Sequence, residues 1–369
     1  MEHKILTSQD EVESLERDWE ILRKCCDASI YSSHAWALEW LEKFGSDVHT
    51  NVIVLEEDGR ICAIAPFIIC EQKTSGIKIK KLTMIGNGNG TTELYDLGIL
   101  WCGEAEGIVE SLIEAIDQLD WNVLQFHDIR EDEVSSLLYE RISSLWDTDE
   151  VVKIPCPYVD LESVTDALDN ASSRTRRMIR KTLQSLDDEA RIRYRRVDIP
   201  EEVKEAAEFY ALHHISRWED RGGSIFSNED IASFLKDITT YAANEGYGEV
   251  FEVWIDGTLA SQMICFEDGD VMRAYRVGMQ PRFSQLSPGN LVSYYAMSEA
   301  LKSGFTRFDF GAGSEEYKYR LGSKDRFLMR IQSKRGSMKT ISKLSSLPGV
   351  KYVLNKSGVK ENALKAIND

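Results

Sequence analysis

An internal repeat constrains the fold of this 369-residue chain more than any other feature of its sequence. Residues 51–67 (NVIVLEEDGRICAIAPF) and 249–265 (EVFEVWIDGTLASQMIC) each place an Asp-Gly pair between two apolar segments, which is the pattern of a two-residue β-hairpin. Further along each half comes a third strand-like segment, TELYDLGIL or MRAYRVGMQ, in which Tyr95 and Tyr275 occupy matching places. The two halves therefore share their first three predicted strands.

The repeat continues through a helix and a strand. The segment GIVESLIEAIDQLDWNVLQFHDI from Gly107 resembles GNLVSYYAMSEALKSGFTRFDFG from Gly289, and Phe126 falls on Phe308 at the same offset. Apolar residues in these segments first recur at helical spacing and then alternate as in a strand. Any two α/β domains can share such patterns by chance, but three blocks in the same order favour duplication.

The boundary between the two halves is predicted near residues 153–158, where KIPCPYVDL interrupts the pattern with two prolines. This divides the chain into a first domain, residues 1–152, and a second domain, residues 153–335. A basic C-terminal tail, residues 336–369, is predicted to be an appended helical segment.

Charge and cysteine content restrict the functions that fit. The formal net charge of −18 repels phosphate, which argues against broad binding of nucleic acid or of an anionic membrane. No apolar run approaches the roughly 20 residues that span a bilayer, and the acidic N-terminus has no apolar signal core. The seven cysteines are scattered without zinc spacing, which predicts reduced thiols, no metal site and a cytoplasmic protein.

The loop before the second repeated helix has the composition of an anion site. The segment PRFSQLSPGN (281–290) joins a strand that ends near Met279 to a helix predicted to begin near Gly289. A helix N-terminus offers free N–H groups and the positive end of a dipole to an anionic ligand. Ordinary capping by Ser287 and Pro288 explains the same residues without a ligand, so both interpretations stay open.

The strand after this helix carries a carboxylate and leads into a glycine-rich turn. In FDFGAGSEEYKYRLGSKDR (308–326), Asp309 alternates with aromatic residues, and the turn then leads to Tyr317, Lys318 and Arg320. A carboxylate on a central strand needs a partner or a chemical function, and Asp309 is compatible with either. The first half has no Gly-x-Gly and no Tyr-Lys at the equivalent place, so we expect it to be non-catalytic.

The order of Asp-Gly hairpin, strand, SPG loop, helix and FDFGxGxxxYKxxxG resembles the acyltransferase family related to the bacterial cellulose-biosynthesis protein CelD, within the GNAT superfamily. The resemblance covers most of residues 10–335. The ending Tyr317-Lys318-x-x-Leu321-Gly322 is also similar to a signature of Fem-type aminoacyl-tRNA-dependent peptidyltransferases, which are double-GNAT proteins. The resemblance implies an α/β fold of tandem GNAT-like domains (acyl-CoA N-acyltransferase, mixed α+β sheet).

In a GNAT domain two central strands splay apart, the pantetheine arm of acyl-CoA lies between them, and its pyrophosphate lies on the following helix. Carried over to this chain, the splayed strands lie near residues 270–279 and 305–310. The loop has Pro288 and Asn290 where the usual pattern has glycines, which leaves the donor open. The residues implied to bind acyl-CoA are Gln285, Ser287, Gly289, Asn290 and Leu291.

The resemblance implies direct attack of an amine on a thioester. This reaction requires a base, donors for the oxyanion and close positioning of the reactants. We predict that Lys318 stabilises the developing negative charge and that Asp309 orients or deprotonates the amine. Tyr317 is a candidate proton donor to the leaving thiolate, although a packing role is the commoner one for a tyrosine.

The acceptor is predicted to bind a basic helix. The stretch SRTRRMIRK places Arg177, Arg180 and Lys181 on one face, which suits a sugar nucleotide diphosphate or another anionic acceptor. A solvated face that pairs with neighbouring acids explains these residues equally well. Trp218 and Arg221 are further candidates as parts of a lid, and Trp218 also fits a core role.

These features favour an acyl-CoA-dependent transferase that acts on a small-molecule amine, such as an amino sugar or a cell-envelope or polysaccharide precursor. The alternative is a Fem-type transferase that uses aminoacyl-tRNA, which the net charge disfavours. A third hypothesis is a non-catalytic binding or scaffold protein that retains the fold. The SPG and Tyr-Lys elements, present in the second half alone, argue against it.

Overall fold

A computed structural model describes residues 1–74, 77–87, 94–219 and 222–335. The predicted lid residue Arg221 and the predicted tail, residues 336–369, lie outside the described residues. The strands are β1 (Glu2–Leu6), β2 (Val48–Glu57), β3 (Arg60–Thr74), β4 (Ile77–Met84), β5 (Leu100–Trp101), β6 (Val123–Arg130), β7 (Asp147–Thr148), β8 (Val152–Asp160), β9 (Ile192–Val197), β10 (Gly248–Ile255), β11 (Thr258–Asp268), β12 (Val271–Met279), β13 (Arg307–Asp309) and β14 (Lys324–Lys334). The α-helices are α1 (Gln9–Glu13), α2 (Glu16–Cys25), α3 (His34–Phe44), α4 (Ala105–Gln118), α5 (Glu133–Leu145), α6 (Ser173–Asp188), α7 (Pro200–Trp218), α8 (Glu229–Asn244), α9 (Pro288–Lys302) and α10 (Glu316–Arg320).

The chain divides into two compact units. Unit 1 comprises residues 1–154 and the described residues from 328 onward, and unit 2 comprises residues 155–327. The division predicted from the sequence placed residues 328–335 in the second domain. They belong to unit 1 because this part of β14 pairs antiparallel with β6. A local sequence pattern does not show which strand β14 pairs with.

The sheet of unit 1 has the strand order β1-β2-β3-β4-β6-β14. Neighbouring strands are antiparallel except for β4 and β6, which are parallel. The predicted hairpin between β2 and β3 is confirmed. Asp58 and Gly59 have φ of 52° and 73°, and a two-residue type I′ hairpin turn requires positive φ at both of its central residues.

The sheet of unit 2 has the strand order β9-β10-β11-β12-β13-β8. Its neighbours are antiparallel except for β12 and β13, which are parallel. Helices α7 and α9 lie on opposite faces, because successive side chains of a strand point to opposite sides. The Ser261 hydroxyl donates to the carbonyl of Pro288 in α9 (2.8 Å), whereas the Gln262 amide donates to the carbonyl of Ala206 in α7 (3.3 Å).

The repeat is visible in the topology, with one correction. Both units contain a hairpin, a third antiparallel strand, a helix and a parallel strand: β2, β3, β4, α4 and β6 in unit 1, and β10, β11, β12, α9 and β13 in unit 2. The alignment of Tyr95 with Tyr275 is wrong, because β4 occupies the place of β12. Only the end of the TELYDLGIL segment, at Leu100, pairs with β3, as part of β5.

The cysteines also differ from expectation. A disulfide joins Cys25 and Cys102 in unit 1, with their Cα atoms 5.9 Å apart, so the expectation of seven reduced thiols is wrong for this pair. Their separation of 77 residues conceals this proximity in the sequence. None of the helices in the described ranges combines the length and apolarity that a bilayer crossing requires.

Candidate active site

Strands β12 and β13 part in the sheet of unit 2. Their parallel pairing ends at Arg273 and Asp309 after only three residue pairs. Beyond this point β12 continues along β11 to Met279. The chain after β13 instead follows β8, since the N–H of Phe310 donates to the carbonyl of Pro157 (2.9 Å). We call the resulting opening between residues 274–279 and the chain after β13 the wedge, and it lies where the sequence predicted splayed strands.

A buried ion-pair cluster holds the point where the strands part. Asp309 is only 2% exposed. One of its carboxylate oxygens accepts from Nε and Nη2 of Arg326 (3.0 and 2.8 Å) and from Nη1 of Arg273 (3.3 Å). The other accepts the N–H of Gly311 (2.7 Å) and lies 3.6 Å from the thiol of Cys156. The carboxylate is therefore hydrogen-bonded through both oxygens.

This environment keeps Asp309 ionised. Burial disfavours the charged carboxyl and is the largest single influence, but Arg326, Arg273 and the N–H of Gly311 together outweigh it and lower the pKa of Asp309. A buried carboxylate that is ionised and engaged by two guanidinium groups is a poor proton acceptor. The geometry favours a positioning role at the vertex of the wedge, and the catalytic role of Asp309 stays a prediction.

Lys318 has a similar structural environment. It lies in the short helix α10, is 3% exposed, and donates to the carbonyls of Gly311, Ala312 and Gly313 (3.1, 3.0 and 3.1 Å). Its Nζ also lies 2.8 Å from the carboxylate of Glu315. An ammonium has three N–H donors, so these partners occupy all of them. Lys318 thus fixes the Gly311–Gly313 loop, and its role at the oxyanion stays a prediction.

Tyr317 lies against the chain that follows β13. Its ring packs edge-on against Phe310, with centroids 6.1 Å apart. Burial, with smaller contributions from Glu315 and Tyr210, raises the pKa of the Tyr317 hydroxyl. The phenol therefore stays protonated at neutral pH but is a weaker acid than an exposed tyrosine, and its role as proton donor stays a prediction.

Helix α9 begins beside the end of β12. Ser287 is its N-cap in the left-handed conformation (φ 51°), and the carbonyl of Ser287 accepts the N–H groups of Asn290 and Leu291 (2.9 and 3.3 Å). The N–H of Gly289 has no acceptor in the part of the chain that the structure describes. A Cβ atom on Gly289 would meet only the sulfur of Met279, at 3.5 Å. The helix end thus presents one free backbone donor among the described residues, beside room for a small group.

The five predicted donor-binding residues do not share one environment. Gln285 is exposed on the 3-10 segment Pro281–Leu286, whereas Ser287, Gly289 and Asn290 are partly exposed at the helix start. Leu291 is fully buried in the core of unit 2, so its side chain has no access to a ligand. Sequence reasoning missed Arg282, an exposed cation on the same 3-10 segment.

The predicted acceptor residues on α6 are exposed. Arg180 pairs with Asp166 (3.0 Å), as a solvated helix face would, while Arg177 and Lys181 form no ion pair within the described ranges. Trp218 is half-buried at the end of α7, with its ring stacked on His214 (centroids 5.8 Å apart). Their shared role in binding the acceptor stays a prediction.

A cleft lies between α7 and the ends of β11 and β12. We call it the α7 cleft. Helix α7 contributes Phe209, Tyr210, His213 and Arg217, and the strands contribute residues 259–262 and 277–280. Burial, together with the charge of Arg282, lowers the pKa of His213, so its imidazole is neutral at neutral pH. A helical spacing of aromatic residues is also typical of a buried core, so the local pattern did not predict this cleft.

In unit 1 the chain itself occupies the equivalent gap. Strands β4 and β6 form two parallel residue pairs, after which residues 94–99 run beside β6. The N–H of Asp96 donates to the carbonyl of Asp128 (2.7 Å), and the buried hydroxyls of Tyr31 and Tyr95 lie 3.0 Å apart. The chain therefore fills the gap in unit 1, and the expectation that the first half is non-catalytic stays a prediction.

Comparisons with known proteins agree with this geometry. Residues 173–319 match the sequence model of the family described as Acetyltransferase (GNAT) domain. The chain therefore has a mixed α/β fold with a GNAT domain. The matched region includes the wedge, the start of α9 and the α7 cleft. No curated protein matches the chain.

Several solved structures resemble this GNAT-containing chain over most of its length. FemX has a TM-score of 0.54 at 12% identity, covering 91% of this chain and 96% of its own. A tandem GNAT protein from the clavulanic acid biosynthesis pathway has a TM-score of 0.53 at 11% identity, covering 91% and 99%. The C-terminal domain of a putative lysylphosphatidylglycerol synthetase from Agrobacterium fabrum has a TM-score of 0.51 at 11% identity, covering 91% and 95%. The predicted tandem GNAT-like fold is confirmed, and these identities bear on the fold alone.

Proposed function

We propose that this protein is an N-acyltransferase that moves an acyl group from acyl-CoA to the amine of a small molecule. The observation that carries the proposal is the wedge between β12 and β13, which opens beside the start of α9 in the region that matches the acetyltransferase domain. An extended ligand that enters the wedge meets the edge of a strand, to which it can bond as an added strand would.

The donor would be held at two places. The pantetheine arm would lie along β12 in the wedge, and the pyrophosphate would lie at the start of α9, near the N–H of Gly289 and the positive end of the helix. Arg282 adds a cation on the preceding 3-10 segment, in a chain whose net charge is −18. Among the predicted loop residues, we assign this contact to Ser287, Gly289 and Asn290, with Gln285 at the exposed margin.

The reaction needs one bond formed and one broken. The amine nitrogen attacks the thioester carbonyl, the new C–N bond forms, and the C–S bond breaks to release the thiol of CoA. We assign removal of the amine proton to His213, because its imidazole is neutral and lines the α7 cleft, and donation of a proton to the thiolate to Tyr317. Asp309 and Lys318 act as positioning residues that hold the vertex of the wedge and the Gly311–Gly313 loop.

The acceptor proposed from the CelD-type resemblance is an amino sugar or another cell-envelope or polysaccharide precursor in the cytoplasm. The Fem-type alternative, transfer from aminoacyl-tRNA, uses the same nucleophile and differs in the donor. A scaffold without activity requires neither donor. The identity of the donor therefore separates the three hypotheses.

Isothermal titration with acetyl-CoA and longer acyl-CoAs tests the proposal. We expect wild-type protein to bind at about micromolar strength and Gly289→Trp to lose that binding, because an indole would cover the start of α9. Glu106→Trp is the matched control, since it places the same indole in the first turn of α4, the corresponding helix of unit 1. Gly289→Glu is a smaller second variant that repels phosphate if the tryptophan variant misfolds.

Three outcomes distinguish the hypotheses. Acyl-CoA binding that Gly289→Trp removes and Glu106→Trp retains supports the proposal. Binding that both variants retain would move the donor away from α9. A folded wild-type protein that binds no acyl-CoA overturns the proposed donor, and acylation from aminoacyl-tRNA then decides between the Fem-type transferase and the scaffold.

A further inference from the structure

We infer that the α7 cleft binds the acceptor of the proposed transfer, and that this acceptor is an amino acid, or a derivative with a free carboxylate, whose side chain is apolar or aromatic. The reaction in this statement rests on the proposed function, whereas the binding can be measured without it. Three properties of the cleft lead to this class of ligand: an unsatisfied polar group, the sign of its charge and the shape of its walls.

Gln262 supplies the unsatisfied group. It lines the cleft and is 3% exposed, and its amide nitrogen donates to the carbonyl of Ala206 (3.3 Å). Its Oε1 atom has no hydrogen-bond partner in the described chain. Buried polar atoms are nearly always hydrogen-bonded in native proteins. This oxygen needs an N–H or O–H group to donate a hydrogen bond to it, and the amine of a bound ligand provides one.

The charge of the cleft selects against a simple cationic amine. Its lining includes no aspartate or glutamate, and Arg217 is its one permanently charged residue. Within the residues that the structure describes, Arg217 forms no ion pair, and Arg282 adds a second positive charge close enough to influence His213. A carboxylate pairs well with a guanidinium through charge-assisted hydrogen bonds. The ligand that fits therefore carries both an amine and an anion.

The walls of the cleft are aromatic and aliphatic. The rings of Phe209 and His213 lie 4.0 Å apart between centroids. The ring of Tyr210 covers the backbone of Gly278 so closely that a Cβ atom there would come within 3.1 Å of a ring carbon. Such walls favour a flat or branched apolar group over a polyhydroxylated sugar. The cleft therefore favours an amino acid over the amino sugar that the CelD-type resemblance implies as acceptor.

The cleft also adjoins the proposed donor site. Met279 lines the cleft, and its sulfur lies where a Cβ atom on Gly289 would meet it, at the start of α9. Tyr210 lines the cleft and influences the hydroxyl of Tyr317, the proposed proton donor. An amine held in the cleft is thus next to the residues assigned to the donor and to the leaving group.

Binding measurements on the whole chain test the inference without any donor. Isothermal titration uses L-phenylalanine and L-leucine as probes, with 2-phenylethylamine as the analogue without a carboxylate and glucosamine as the sugar amine. We expect the amino acids to bind more tightly than the other two. Arg217→Gln should weaken the binding of L-phenylalanine by about tenfold or more, because a charge-assisted hydrogen bond is lost. Gln262→Leu should weaken the same binding by about three- to tenfold.

The controls keep each result interpretable. Arg193→Gln removes an arginine that stacks over Trp254 outside the cleft, and it should leave the affinity unchanged. Gln262→Met replaces Gln262→Leu if the latter does not fold by circular dichroism. The inference is overturned if no amino acid binds the wild type at millimolar concentration. It is also overturned if Arg217→Gln and Gln262→Leu bind as the wild type does, or if 2-phenylethylamine binds as well as L-phenylalanine.

A parallel titration with acetyl-CoA separates this inference from the proposed function. Amino-acid binding without acyl-CoA binding supports the acceptor cleft and overturns the proposed donor. Acyl-CoA binding without amino-acid binding overturns the cleft alone. When both bind, mass spectrometry of a mixture should detect the N-acyl amino acid together with one equivalent of free CoA thiol, and the absence of that product would overturn the assignment of the amino acid as acceptor.

Discussion

Replacing Asp309 with asparagine tests whether this carboxylate holds the wedge together or acts in chemistry. The substitution keeps the shape of the side chain and removes its charge from Arg273 and Arg326. Removing one partner of a buried ion pair costs about 3–5 kcal/mol. Arg273 keeps Asp268 at 2.7 Å and the Arg326 side chain is 27% exposed, so water and a second carboxylate offset part of that cost.

We therefore expect Asp309→Asn to lose about 2–3 kcal/mol of unfolding free energy. For a unit of this size, that loss lowers the unfolding midpoint by about 4–12 °C. The pKa of Asp309 is lower in the folded protein than in the unfolded one, so its stabilisation is present at neutral pH and is lost as the pH falls through the folded value. The difference between wild type and variant should stay constant from about pH 6 to 8 and shrink below about pH 4.

Thermal and urea denaturation, followed by circular dichroism at several pH values, measures both effects. Asp325→Asn is the control, because this exposed carboxylate accepts a hydrogen bond from Tyr319 (2.9 Å) and lies outside the ion-pair cluster of Asp309, and it should change stability by less than about 0.5 kcal/mol. An Asp309→Asn protein with an unchanged midpoint and no transfer activity would refute the positioning role and establish Asp309 as a chemical participant.

Two further predictions follow from buried charges. Lys318→Met should speed amide exchange in the Gly311–Gly313 loop, because three carbonyls lose their donor at a cost of about 1–3 kcal/mol each at most. Lys302→Met, which replaces an exposed lysine, should leave this exchange unchanged. Unchanged exchange in Lys318→Met would contradict its role in the loop. Burial, partly offset by Arg196, raises the pKa of Glu249 to about 7. Between about pH 4.5 and 7 the folded protein therefore retains a proton that the unfolded chain loses. The free energy of unfolding should fall by about 3 kcal/mol as the pH rises through this range. Denaturation midpoints at pH 5 and 8 should differ less in Glu249→Gln, and an identical difference in both proteins would count against this assignment.

Local sequence patterns were sufficient for features that depend on neighbouring residues. The Asp-Gly pairs determine tight turns because Asp58 and Asp256, each followed by glycine, tolerate the positive φ that such turns require. The start of α9 follows from Ser287 and Pro288, since proline suits the first position of a helix. The repeat itself predicted two related α/β halves with their strands and helices in the same order.

Interactions between distant residues could not be read from those patterns. Sequence reasoning left Asp309 open between a structural partner and a chemical function and predicted Lys318 at the oxyanion, but the chemical state of both groups depends on which partners fold against them. Asp309 meets Arg273 and Arg326 only after β12, β13 and the start of β14 come together, and Lys318 is enclosed by the loop that it organises. Gln262, Arg217 and the strand ends that form the α7 cleft likewise lie far apart in the chain.

The sequence by itself determined the turns, the element order and the tandem GNAT-like fold, because each depends on periodicity and on conformational preferences that act over a few residues. The tertiary structure decided which polar groups are satisfied, which stay available and which half keeps an open wedge. Residues 94–99 close the gap in unit 1 through hydrogen bonds to β6, a difference that no local pattern encodes. Hydrogen-bond saturation and burial depend on distant partners, so the chemical state of a side chain is defined only once the chain has folded.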